Sequence, residues 1–84
     1  MLERIYHPAV DQQNALNAAT DPQCTRVMMA SFYADLLRCA AIYGNSSIDW
    51  PAVNRAIMKR WSMSALLKIK KAAWKELEPK APKE

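Results

Sequence analysis

Apolar residues recur along this chain at intervals of three and four, and no window alternates apolar and polar for more than a few positions, so the pattern predicts helices and no strand. Punctuation residues divide it into four segments. Pro8 suits a first helical turn and opens a weakly amphipathic stretch to about Ala19, with Val10, Ala15, Leu16 and Ala19 as its apolar members. Upstream, Arg4, Ile5 and Tyr6 form either a separate turn or an arm across the core. Thr20-Asp21-Pro22 signals the next start, with Asp21 as N-cap and Pro22 at the first helical position, where its missing N–H costs nothing. That helix should run to Gly44, the single glycine, whose tolerance of positive φ suits a helix end. At 100° per residue Met29, Phe32, Tyr33, Leu36, Cys39 and Tyr43 cover over half its circumference, while Gln23, Ser31, Asp35 and Arg38 form a narrow wet strip. It is the expected central helix, about 22–44.

The last two segments carry the same device twice. Asp49 caps a start at Trp50-Pro51, with Ile48 packing on Val53 as a hydrophobic staple, and Ser62 caps a second start, with Trp61 stapled to Leu66. Periodicity agrees with a break between them. Val53, Ile57 and Trp61 share one face, whereas Leu66, Ile69, Ala73 and Leu77 would lie roughly 160° away on a continuous helix. The expected fold is therefore all-α, a small bundle of about four helices with a long central apolar helix and a C-terminal helix pair at about 50–61 and 63–77. Residues 1–77 form one domain, and the charged, proline-bearing tail 78–84 is expected to be disordered.

Composition narrows the function. The 84 residues are 51% hydrophobic and 24% charged, with a net charge of +4. Residues 1–49 carry three basic and five acidic groups, residues 50–84 carry nine and three, and from Trp50 to Lys75 there are seven basic side chains and no acidic one. The apolar stretch from Cys24 to Gly44 holds Arg26, Asp35 and Arg38, each costing roughly 2.5–3.5 kcal/mol at a bilayer centre, so it is not read as a membrane span. With no h-region at the start, the expected location is cytoplasmic. Cys24 and Cys39, placed on one helix, would be roughly 22 Å apart and read as buried thiols. They and the single His7 match no zinc spacing, so neither metal nor cofactor is expected.

Catalysis is not expected either. One glycine makes no phosphate loop, one histidine near the amino end assembles no triad, and no helix face pairs two carboxylates. His7 reads as a helix-start residue, spaced for a local ion pair with Glu3, and Asn45-Ser46-Ser47 as turn chemistry. The methionines read as core filler.

What remains is binding. Lys68, Lys71 and Lys75 stand at i, i+3 and i+7 on one helix face, and Arg55, Lys59 and Arg60, with Lys70 helping, extend the patch around the turn. An unmixed cationic surface suits nucleic-acid phosphates, bound with salt dependence and little sequence information. Two helices joined by a short turn invite comparison with a helix-turn-helix, yet the exposed face lacks the Arg, Asn or Gln that read base edges. Leu67 and Trp74 lie some 100° from the core stripe and, with Lys70, form a patch for docking on an acidic protein partner, as an inhibitor or adaptor would. The same patch facing a second copy gives a homodimer, the third reading. In size and composition the chain resembles, in a general way, small accessory and regulatory proteins of bacteria and their phages.

Overall fold

The computed structural model describes residues 4–77; Glu3, expected to pair with His7, and the tail 78–84 lie outside the described residues. Helix α1 spans Pro8–Thr20, α2 Arg26–Tyr43, α3 Trp50–Arg60 and α4 Met63–Leu77, with one 3-10 turn at Asn45–Ser47 and no strand among the described residues. Three of the four starts have the expected local chemistry. His7 Nδ1 accepts from Val10 N–H ahead of Pro8, Asp49 accepts from Ala52 N–H at 3.3 Å, and Ser62 Oγ accepts from Ala65 N–H at 3.1 Å. The α4 bounds and the start of α3 fall where the caps predict.

The second helix departs from expectation. It begins at Arg26, not Pro22, with the Thr25 hydroxyl accepting from Met28 N–H at 3.1 Å. Asp21 caps a turn instead, its carboxylate accepting from Gln23 N–H at 2.9 Å. Since α1 continues to Thr20, a helix starting at Pro22 would leave one residue to join two antiparallel helices whose axes stand about 8–10 Å apart. The loop 21–25 supplies that reversal. Cys24 therefore precedes α2 rather than sharing it with Cys39, although both thiols are buried. At the far end Gly44 sits at φ +105°, ψ 150° and its N–H donates to Ala40 O.

Packing follows from the buried faces. Asp11, Ala15, Ala18 and Ala19 of α1 meet Met29, Leu36 and Cys39 of α2, and Val53 and Ile57 of α3 with Leu66, Ile69 and Ala73 of α4 complete one core. In cross-section α1 lies between α2 and α3, and α4 packs mainly on α2 and less on α3. Along the bundle, α1 and α3 run the same way, because Gln12 reaches Asp49 at one end while Ala19 and Thr20 border Ala56 and Lys59 at the other. By the same reasoning α2 and α4 run together, with Val27 beside Lys68 and Ala41 beside Leu77. One end of the bundle thus gathers the starts of α2 and α4 and the ends of α1 and α3.

The amino-terminal segment is the arm foreseen as one alternative. Arg4 pairs with Asp11 at 2.7 Å and Asp35 at 3.5 Å and lies over the Tyr6 ring, and Tyr43 donates its hydroxyl to Tyr6 O. Asp11 is 5% exposed and also accepts from His7 N–H at 2.9 Å and the Cys39 thiol at 3.3 Å. Tyr43, expected on the apolar face, is exposed, because its ring serves the arm rather than the core. Among the described residues no helix is long and apolar enough to cross a membrane.

Candidate nucleic-acid interface

Helix α4 presents three longitudinal faces. Ala65, Leu66, Ile69 and Ala73 enter the core, Lys68, Lys71 and Lys75 are exposed, and Met63, Leu67 and Trp74 form an apolar stripe with half-buried Lys70 among them. The i, i+3, i+7 spacing of the lysines keeps them on one side of an unbroken helix. None of the three makes an ion pair among the described residues, and Glu76, one residue past Lys75, is turned aside to accept from Ser31 Oγ at 3.2 Å.

Three of the remaining predicted cations, Arg55, Lys59 and Arg60, line a different groove, one of about 500 Å³ between α1 and α3, whereas Lys68 borders the seam of α2 and α4. The expected patch around the turn thus borders two different grooves. Arg60 is also committed structurally, donating to Asp21 O and Pro22 O and stacking 4.3 Å from the Trp61 ring centroid, which leaves it little freedom to follow a ligand.

In its place the fold brings in Arg26, which sequence reasoning passed over. It opens α2 and shares the shallow seam with Val27, Lys68, Ile69 and Ala72. Its sequence separation from Lys68 hid the pairing, and reading Asp21 as the helix cap disguised a first turn that carries no acidic residue and is capped by the neutral Thr25 hydroxyl. The start of α4 is likewise free of acids. Asp21 is the acid at this end, held by Gln23 N–H.

The aromatic residues divide. Trp50 packs against the core with its ring 5.2 Å from Tyr33 and its Nε1–H on Asn45 Oδ1, and Trp61 is half-buried beneath Arg60. Leu67 is 60% and Trp74 58% exposed. Trp74 edges a groove of about 600 Å³ with Leu37, Ala41, Leu77 and Tyr6.

Reactive groups elsewhere are subdued. Burial, joined by the neighbouring Asp11 carboxylate, pushes the Cys39 thiol up to about 12, and burial also raises Cys24. Burial raises Tyr33 to about 12 as its hydroxyl donates to Asn54. Among the described residues no three His, Cys, Asp or Glu side chains group as a metal site. The chemistry this surface offers is the attraction of anions. Compared with protein-family models, curated sequences and solved structures, the chain finds no match.

Proposed function

We propose that this protein binds the phosphate backbone of nucleic acid through Lys68, Lys71 and Lys75 of α4 together with Arg26 at the start of α2. The observation that carries the reading is the cationic seam itself: Arg26 and Lys68 face each other across it, the two further lysines continue along α4, and the facing helix starts carry no carboxylate. Such a surface offers charge without base-edge readers, so affinity should be salt-dependent and nearly indifferent to sequence. Binding, with no reaction, is the proposed work.

Four phosphate contacts imply a slope of log affinity against log salt near about −3.6 for duplex DNA, hence roughly a 150-fold loss between 50 and 200 mM salt. Fluorescence anisotropy with labelled duplex and single strands measures it. Lys68→Glu, Lys71→Glu and Lys75→Glu together should abolish binding, while the melting temperature stays near that of the parent. Absence of binding at 50 mM salt, or an unchanged slope in the triple variant, would refute the proposal.

A second reading is favoured by one observation, the exposure of Leu67 and Trp74 on either side of Lys70. An exposed aromatic anchor beside a cation suits an acidic protein partner. Self-pairing of the same stripe would bring Lys70 toward its own copy, which weighs against a homodimer. Trp74→Ala discriminates, since it leaves phosphate binding intact and removes the docking anchor.

A further inference from the structure

The groove between α1 and α3 is not used by that surface, and its make-up differs. Its floor is Ala19, Ala52 and Ala56, and its rim is Arg55, Lys59 and Arg60, with no acidic side chain in the lining. It is an open groove of about 500 Å³ rather than an enclosed pocket. Arg55 and Lys59 are exposed and make no ion pair among the described residues, whereas Arg60 is fixed by the Asp21 and Pro22 carbonyls and serves as a wall.

We infer that this groove docks an acidic amphipathic helix of a partner protein, whose apolar side chains seat on the alanine floor while its carboxylates meet Arg55 and Lys59. Charge complementarity selects the sign of the partner, because the rim offers cations alone. The floor selects the class. A phosphate backbone gains nothing from an apolar trough, and the lining has no aromatic ring on which a base would stack. Peptide in helical form fits a trough walled by two helices that run the same way and offer no sheet edge for an extended strand. Bulky anchors on the partner would complement the small side chains of the floor. This inference stands apart from the nucleic-acid reading, since its residues line a different groove.

The test is an NMR titration of the full chain with two synthetic peptides sharing one helical pattern of leucines, one flanked by glutamates and the other by lysines. The glutamate peptide should shift the amides of Ala19, Ala52, Ala56 and Lys59 and bind at least about tenfold more tightly than its lysine twin. Arg55→Glu with Lys59→Glu should remove that preference and leave the DNA titration unchanged. Arg55→Gln with Lys59→Gln, which keeps the polarity of the rim, should weaken the glutamate peptide in the same direction. Equal affinity for the two peptides overturns the inference, as does absence of binding below about 1 mM. Shifts of these amides by duplex DNA would assign the groove to nucleic acid, and shifts with protein concentration alone would assign it to a second copy; either result overturns it.

Discussion

Replacing Asp11 by Asn tests the reasoning about the buried carboxylate at the amino-terminal arm. One oxygen accepts from Arg4, and the other accepts from His7 N–H and from the Cys39 thiol. An amide has only one accepting atom, so whichever way it turns, its NH₂ faces a donor. The Arg4 partner is about half exposed, which limits that pair to at most about 1 kcal/mol. A backbone N–H bond to a buried charge contributes about 1.5–3 kcal/mol, and the weak thiol donor less. The expected loss is about 2–3 kcal/mol at pH 7, against a total of about 4–13 kcal/mol for a chain of this length. Melting should fall by about 10–20 °C.

The pH dependence of that gap is diagnostic. Burial alone would raise Asp11, but the hydrogen bonds from His7 N–H, Arg4 and Cys39, with the Arg4 charge, outweigh it and hold the carboxyl below its ordinary value. The stability it gives is therefore fully present above an unfolded value near 3.9 and is lost as pH falls through the lower folded one. Asp35, across Arg4, has the opposite sign: burial raises it, so its contribution is present in acid and is lost as pH rises through its folded value. Urea unfolding of parent and Asp11→Asn from pH 7 to pH 3 should show the gap closing in acid. A gap constant over that range, or no gap at pH 7, would refute the account.

Other expectations are more local. Gly44→Ala should cost about 1–3 kcal/mol in urea unfolding, entirely through backbone strain at φ +105°, since nothing stands within 4 Å of the added Cβ. Arg60→Gln should lower stability by about 1 kcal/mol, because the two carbonyls it serves are solvent-accessible, while DNA affinity changes less than about twofold; a loss comparable to that of Lys68→Glu would return Arg60 to the interface. Both thiols should resist a disulfide reagent at pH 8 until denaturant is added, Cys39 most of all, and reaction within seconds in the native protein would contradict their burial.

The elements were readable where one residue does one job. Asp49 with Pro51, Ser62, Pro8 and Gly44 each specify a boundary through a cap or a φ value, and the helices begin or end beside them. Asp21-Pro22 misled because an aspartate caps turns as readily as helices, and the choice was made by the space needed between α1 and α2, which no local pattern records. The site was legible only in part for a similar reason. Lys68, Lys71 and Lys75 share a face by helical spacing alone, but tertiary pairing sets Arg26 beside Lys68 and puts Arg55 and Lys59 on the rim of another groove. Arg60 looked like its neighbours, and only the carbonyls of Asp21 and Pro22, far away in sequence, distinguish it.

The pairing of α4 with α2 and of α3 with α1 bears on how the charge asymmetry of the chain is used. Val53, Ile57, Leu66 and Ile69 are buried in a core completed by α1 and α2, while α3 and α4 share little with each other. The basic half therefore has no interior of its own. Cut free as a peptide, residues 50–77 would keep every lysine and lose the shape that arranges them, so the acidic half is a chassis on which the cations are mounted. The proposed affinity for an anionic partner would then be a property of the whole folded chain, and a substitution deep in α1 or α2 would silence it without touching a single positive charge.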